Sequence, residues 1–284
     1  MLPIDKLKRT MDSLPFLDET IGSLSEIEWK KHCNELKQLV EKDDPYRFIS
    51  WGMIVGNMFA ANNPYVAPML NYLMSHPKWS FYQEVIRENW VGAPEEYYGF
   101  PSASGNTIMH TAHLSYFEDM TGLNVDKFTT IVEFGGGYGS QARIAKKMGF
   151  KGRYIIFDLP HFSALQKFYL DSGTITGMAY ANTIEELRVE VSSADKSNML
   201  FLSTWALTEA PFDVRDKVLD TVKGCKAYLF AYNPGFYELD NNVFFFNWRK
   251  SLRNIQWYNF DIPGINGTYY LMGMRKAKGE SSIR

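Results

Sequence analysis

Two acids and a cluster of glycines hold the most legible chemistry in this chain. A short apolar run, Thr130 to Phe134, ends in Glu133-Phe134 and leads straight into Gly135-Gly136-Gly137-Tyr138-Gly139. Glycines in succession cost conformational entropy, so a tight turn or the close approach of a ligand must offset them. A helix expected from about Ser140 would aim its N-terminus at whatever lies above that turn. The next apolar run, Tyr154 to Phe157, stops at Asp158, 25 residues after Glu133. A carboxylate there can accept both hydroxyls of a ribose. The ligand expected is one that contains adenosine.

Two cofactor classes use such a turn, and charge separates them. A dinucleotide site asks for Gly-x-Gly-x-x-Gly, with the third glycine allowing close helix–strand packing. Counted from Gly135, that third position is Ser140, so the fit is incomplete. S-adenosyl-L-methionine has no pyrophosphate but does carry an ammonium and a sulfonium. Glu133 at the mouth of the turn attracts those cations and would repel a pyrophosphate. A glycine turn that holds nothing is the plainer reading, and the two acids placed for a nucleoside weigh against it.

The stretch Glu133-Phe-Gly-Gly-Gly-Tyr-Gly139 resembles motif I of the class I methyltransferases that use S-adenosyl-L-methionine. The longer segment VEFGGGYGSQARIAKK…YIIFDLPHFSALQKFYL resembles the bacterial family of putative sugar O-methyltransferases, and FDLPH is similar to a stretch of plant small-molecule O-methyltransferases. Phe201 to Pro211, FLSTWALTEAP, resembles the block on the substrate side of the family's sheet. The likeness covers about the C-terminal 160 residues well and the N-terminal helices loosely. It implies that Glu133 faces the methionine or ribose end, that Gly135, Gly137 and Tyr138 line the cofactor, and that Asp158 binds the ribose. Leu159 would pack on the adenine and Asn182 would face its amine. Relatives tend to carry a histidine near Trp205; its replacement here leaves the proton acceptor open.

The methyl acceptor must lie at the carboxyl ends of the strands or under a lid above them. An alcohol acceptor loses its proton as the new bond forms, so a base is needed. Glu209 follows the fourth strand and could take that proton, or could equally be a helix-entry acid held by the dipole. His110 and His113 stand about one helical turn apart and either could titrate near neutrality. His161, just after Asp158-Leu-Pro, reads as the opening of a helix. Tyr98, Trp205 and Tyr232 are candidates for a stacking wall against the substrate, although rings of this kind often belong to the core. Asp213, Glu238 and Asp240 could hold a divalent ion, but their spacing does not demand one and no metal site is expected.

These groups need a sheet to hold them. From Phe128 onward, β-rich runs alternate with helical ones: Thr130–Phe134, Tyr154–Phe157, Gly177–Tyr180, Met199–Thr204 and Ala227–Tyr232, with helices between. Such alternation builds βαβ units around a parallel sheet. Asn254–Ile262 and Thr268–Met274 flank Pro-Gly-Ile-Asn-Gly and suggest an antiparallel pair at the end. The fold class expected is α/β, a Rossmann-like class I methyltransferase sheet with an antiparallel terminal strand. A helical region, 1–125, precedes the cofactor-binding part, 126–284, and would serve as lid, substrate wall or oligomerisation surface. Within it, Ser25-Glu26-Ile27-Glu28 reads as a capping box. Helices are expected over Tyr46–Ala60, Pro64–Met74, Trp79–Asn89 and Thr107–Met120.

Composition narrows the classes further. The 284 residues carry 30 basic and 32 acidic side chains with no basic block, so nucleic acid is not expected as a partner. No apolar run reaches the roughly 18 residues of a membrane span. The opening MLPIDKLKRT has no apolar core, so no secretory signal is expected. Cys33 and Cys225 are too few and too far apart for a disulfide framework, which points to a reducing, cytoplasmic setting. The function expected is methyl transfer to a hydroxyl of a sugar or sugar-like metabolite, free, nucleotide-linked or destined for a surface glycan, and a homo-oligomer is compatible with it. Three other readings stay open: methylation of nitrogen or of another polar or phosphorylated small molecule, a nicotinamide-dependent oxidoreductase, and a catalytically silent partner subunit.

Overall fold

Strands buried on both faces must be apolar at every position, and the central runs satisfy this. In the computed structural model, which describes residues 2–237 and 239–276, the chain opens with six helices. These are α1 (Pro3–Ser13), α2 (Leu24–Lys42), α3 (Gly52–Asn57), α4 (Val66–Ser75), α5 (Trp79–Val85) and α6 (Gly105–Thr121). Strands and helices then alternate. β1 (Thr130–Phe134) leads to α7 (Ser140–Lys147), β2 (Arg153–Phe157) to α8 (Pro160–Ser172), and β3 (Met178–Ala181) to α9 (Ile184–Ser192). β4 (Met199–Thr204) is followed by the short α10 (Ala206–Glu209) and by α11 (Phe212–Thr221). After β5 (Ala227–Tyr232) come a two-residue ladder, β6 (Gly235–Phe236) and β7 (Leu239–Asp240), and α12 (Asn241–Lys250). β8 (Ile255–Asp261) and β9 (Tyr269–Arg275) complete the sheet.

The seven-stranded sheet has the order β3-β2-β1-β4-β5-β9-β8. β1 to β5 are parallel, and β9 runs antiparallel between β5 and β8. This is the Rossmann-like sheet with an antiparallel terminal strand that the alternation implies. Neighbouring residues of each strand feed opposite cores. Ile131, Ile156, Leu200 and Leu229 join the cluster shared with α1 to α8, whereas Val132, Ile155, Phe201 and Phe230 join the one under α9, α11 and α12. Both faces are covered, so β1 and β5 are buried throughout.

The N-terminal helices share this core. One apolar cluster runs from Leu7 and Met11 through Leu114 and Phe117 to Tyr154 and Met272. α1 and α2 lie on α8, while α6 packs against α7 and β9. Near the expected boundary, α6 ends at Gly122, whose φ of 69° suits glycine. A fully buried ion pair adds a polar tie: Arg143 on α7 meets Glu88 at 3.1 Å, and its guanidinium also donates to the Arg87 carbonyl at 2.7 Å. The Ser104 hydroxyl donates to the other Glu88 oxygen at 2.6 Å.

Several local expectations need correction. The α2 capping box is built on Ser23 and Glu26, with the Ser23 N–H donating to Glu26 Oε2 at 2.8 Å; Ser25 is buried inside the first turn. The helix expected over Tyr46–Ala60 is interrupted. Pro45–Ser50 forms a 3₁₀ turn, Trp51 is extended, and α3 is only six residues long. Burying Phe48, Trp51 and Ile54 together outweighs continuous helix, and Gly52 and Gly56 lower the cost of the break. α5 stops at Val85 rather than Asn89, because Glu88 and Arg87 turn to meet Ser104 and Ala103. α12 has no clear apolar period and emerges from the Asp240 cap, whose Oδ1 accepts the Val243 N–H at 2.9 Å.

Removing one member of a buried ion pair strands the other charge, which costs about 3–5 kcal/mol. Glu88→Ala should therefore destabilise the fold by about that amount in urea melts. A loss below about 1 kcal/mol would show that the pair contributes no more than a surface bridge does.

Candidate functional site

The loops leaving β1 and β4 cross above the sheet, at the point where the strand order reverses. This is where open α/β sheets place their ligands. Gly135 has φ +73°, and a Cβ there would stand 2.0 Å from the Ala206 Cβ on the β4 loop. Gly137, at φ +54°, faces open space with Met58 Sδ 3.7 Å from its would-be Cβ. The first glycine permits the loops to cross; the second leaves the backbone bare to a ligand. On the β4 side, Ser203 Oγ donates to the Phe134 carbonyl at 2.9 Å and accepts the Leu207 N–H at 2.9 Å. Trp205 turns this corner at φ +66°, ψ −45°, a strained geometry for any residue with a side chain.

Above the crossing lies a cavity of about 700 Å³. Glu133, Gly135, Gly137, Asp158, Leu159 and Asn182 line one end. Met58, Tyr65, Met109, His110 and Trp205 line the other. Its polar groups are held firmly. Asp158 Oδ1 accepts the Leu159 N–H at 2.7 Å and Oδ2 accepts Gln166 Nε2 at 2.6 Å. Gln166 also donates to the Gly137 carbonyl at 3.0 Å, tying the glycine loop to the end of β2. Asn182 Nδ2 donates to the Asp158 carbonyl and to Ser163 Oγ, at 2.7 and 2.6 Å, which leaves its Oδ1 for another donor.

Burial sets the charges. Glu133 is 1% exposed, and desolvation pushes its carboxyl up to about 8, against a hydrogen bond from the Tyr154 hydroxyl at 2.9 Å. Desolvation likewise raises Asp158 to about 7, although N–H groups of Leu159, Gln166, Gly136 and Gly137 favour its charged form. Glu209, half-buried in the cavity wall, is raised to about 7 by burial, with Trp29 and Arg215 opposing the shift. His110 goes the other way, down to about 3, because it is desolvated and Arg143 lies near. A buried carboxyl that would gain from a neighbouring cation, a bare glycine backbone and a ribose-height acid together suit a positively charged nucleoside. A pyrophosphate there would meet Glu133.

The structure brings Glu133, Gly135, Gly137, Tyr138, Asp158, Leu159, Asn182, His110, Trp205 and Glu209 to the cavity. The ring of Tyr138 is buried against Phe48 and Tyr169, with its hydroxyl held by Asn106 at 2.9 Å, so it braces the loop from behind. Three other candidates fall away from the wall. His113 is buried, its Nδ1 bonded to the Tyr270 hydroxyl and its pKa well below the ordinary value through desolvation. Tyr232 packs on Phe245 and Tyr269, and Tyr98 is 81% exposed on its loop. His161 is buried outside the lining. Asp213 pairs with Lys217 at 2.9 Å and Asp240 caps α12, while Glu238 lies outside the described residues. Among the described residues, no three His, Cys, Asp or Glu side chains converge as metal ligands would.

Sequence reasoning missed several parts. Arg215 is fully buried and donates to the Ala210 carbonyl at 2.6 Å, to Asn241 Oδ1 at 2.7 Å and to the Thr208 carbonyl, thereby gripping both sides of Glu209. Asn106 clamps the 58–60 loop by donating to the Met58 carbonyl at 2.7 Å and accepting the Ala60 N–H. Neither side chain has a sequence signal beyond its polarity. Gln166 could have been suspected, since it falls two helical turns beyond Leu159 on the same face.

The sheet order, the antiparallel β9 and the flanking helices define a Rossmann-like class I methyltransferase fold. No family model matches the chain, and no curated protein matches its sequence. Solved structures do resemble it. An O-methyltransferase family protein from Burkholderia thailandensis is 13% identical, covering 98% of this chain and 95% of its own, with a TM-score of 0.43. Mitomycin 7-O-methyltransferase is 13% identical over 83% of this chain and 74% of its own, also at 0.43. An rRNA methylase from Streptococcus thermophilus, 13% identical, covers 59% of this chain and 95% of its own at 0.44. These are likenesses of fold, and none carries a substrate or a residue role to this chain.

The buried Glu133 makes a testable statement about stability. Its folded pKa of about 8 lies above the ordinary 4.5, so the folded state holds a proton that the unfolded state releases. The associated stability is complete below pH 4.5 and is lost as pH rises through about 8. Melting curves of the ligand-free chain should therefore fall from pH 5 to 9 relative to those of Glu133→Gln. Parallel pH profiles for the two proteins would refute the assignment.

Proposed function

We propose that this chain is an S-adenosyl-L-methionine-dependent methyltransferase acting on a hydroxyl of a sugar-like small metabolite. The observation that carries the proposal is that one cavity is lined by Glu133, Gly137, Asp158 and Asn182 and also by Trp205, His110 and Glu209. When bound, the cofactor supplies an electrophilic methyl group on a sulfonium. Asp158 would accept the ribose hydroxyls, Asn182 Oδ1 the adenine amine, and Glu133 would face the cationic methionine end. Leu159 and Phe157 supply apolar surface for the adenine.

On the acceptor side the chain has to place a hydroxyl and remove its proton. Placement is the larger contribution, because in-line displacement needs the attacking oxygen about 3 Å from its target. Glu209 is our candidate base: it lines the cavity and titrates near pH 7, where a base is most effective. His110, held neutral, would accept a hydrogen bond from the substrate. His113, turned onto Tyr270, steadies the wall behind Trp205, from which its ring lies 5.5 Å. The 1–125 region would act as lid and substrate wall, since α2, the end of α3 and residues 58–60 line the cavity. A cavity of this size suits a small acceptor.

Calorimetry with S-adenosylhomocysteine should show binding, and NAD should give no heat. Losing hydrogen bonds to a charged acceptor costs about 1.5–3 kcal/mol each, so Asp158→Ala should weaken binding roughly 100-fold or more. Retained affinity in that variant would remove the ribose assignment. Once an acceptor is in hand, turnover should fall as pH drops below about 7 while Glu209 takes up a proton. Glu209→Gln should be slow at every pH and lack that limb. If the acid limb survives in the variant, another group is the base.

A further inference from the structure

The acceptor half of the cavity carries its own statement about charge. Its wall is apolar and aromatic: Met58, Phe59, Tyr65, Met109, Trp205 and Ile265. Several polar groups of the lining turn donors back onto the protein. Asn57 Nδ2 donates to the Met53 carbonyl at 2.8 Å, Asn63 Nδ2 to the Ala60 carbonyl at 2.7 Å, and the Thr268 hydroxyl to the Ile265 carbonyl at 2.7 Å. His110 Nδ1 is buried with no partner, and its imidazole is neutral. Oxygens of the two asparagines therefore offer acceptors. The one lysine in the lining, Lys30, gives its ammonium to the Ile21 carbonyl. Arg215, the cation beside Glu209, has its guanidinium buried among protein oxygens and is not part of the lining. Against that one lysine the cavity wall carries four acids, Glu26, Glu133, Asp158 and Glu209.

We infer that the acceptor is an uncharged hydroxyl compound with one apolar or aromatic face, and that phosphorylated and nucleotide-linked compounds are excluded from this site. The inference rests on the methyltransferase reading of the same cavity. It is carried by the chemistry of the wall. A phosphate needs hydrogen-bond donors and compensating cations, whereas four acidic side chains line this cavity against one lysine already held by a carbonyl. A neutral hydroxyl needs what is present: an acceptor for its proton and flat apolar surface for its ring. A sugar offers an apolar face through its axial C–H bonds, and a phenol offers one through its ring. Both can lie on Trp205, and both can donate to His110 or Glu209.

The test uses the full chain saturated with S-adenosylhomocysteine and two matched pairs of probes. These are 4-nitrophenyl β-glucoside with its 6-phosphate, and 4-nitrophenol with 4-nitrophenyl phosphate. Binding is read by saturation-transfer NMR, and methylation, in S-adenosyl-L-methionine, by mass. At least one neutral member should bind, and its phosphate ester should bind about 100-fold more weakly or not at all, as expected for like charges brought together. Val55→Arg adds a guanidinium at a half-exposed position of the cavity rim and should recover phosphate-ester binding without strengthening the neutral partner. A phosphate ester that binds as well as its parent overturns the inference, as does failure of both neutral probes while the homocysteine cofactor product still binds. Failure of S-adenosylhomocysteine itself to bind sinks the methyltransferase reading instead, so the two outcomes are separable.

Discussion

Two loops leave adjacent parallel strands and must pass each other with almost no room, and much of the site follows from that contact. Gly135 and Ala206 are so close that even one methyl group on the glycine would overlap the alanine. Because the loops touch, Ser203 can bridge them, donating to Phe134 and receiving Leu207. Because the β4 loop is drawn in, Trp205 is forced into a left-handed corner and its indole is delivered to the cavity wall. The backbone strain there is of order 1–3 kcal/mol and is held by the surrounding hydrogen bonds, including Trp205 N–H to the Ala231 carbonyl at 2.7 Å. A side chain at position 135 would push the loops apart and open the cavity floor.

A second constraint works on charge. Three carboxyl groups, Glu133, Asp158 and Glu209, share one cavity, and desolvation raises all three toward neutrality. Each is steadied differently: Tyr154 donates to Glu133, Gln166 and Leu159 donate to Asp158, and Arg215 stands beside Glu209. In the proposed reading these differences become roles. The deepest acid waits for a cation, the best-solvated by N–H groups takes ribose hydroxyls, and the one beside a buried guanidinium exchanges a proton near neutrality. The same burial that drives His110 neutral makes the acceptor end a place for hydrogen bonds rather than for ion pairs.

The helical N-terminal region is part of this device. α2 places Trp29 in the cavity lining beside Glu209, and Asn106 on α6 fixes the 58–60 segment that also lines it. The buried Glu88–Arg143 pair and the cluster running from Leu7 to Met272 bind the N-terminal helices and the sheet into a common core.

The alternation of apolar runs was readable in the chain because both faces of a parallel sheet must be covered, which leaves near-continuous apolar strands. Hence β1, β4 and β5 begin and end where that pattern predicts. The glycine turn and its two acids were readable for a related reason, since backbone freedom and ribose chemistry each permit few residue types. Helix 46–60 was misread because propensity cannot weigh the burial of Trp51 and Phe48 against an unbroken helix. Tyr98, Tyr232 and His113 were grouped with the site on residue type, and only packing showed them turned outward or inward. Arg215 and Asn106 act through contacts up to 48 residues distant in the chain, and such contacts leave no local pattern. Sequence alone thus determined the sheet and the glycine turn with its two acids, because local sterics and periodic burial decide both. Which carboxyl stays charged, which imidazole stays neutral and what covers the cavity were decided by tertiary structure, because desolvation and hydrogen bonding depend on neighbours that the chain brings together only on folding.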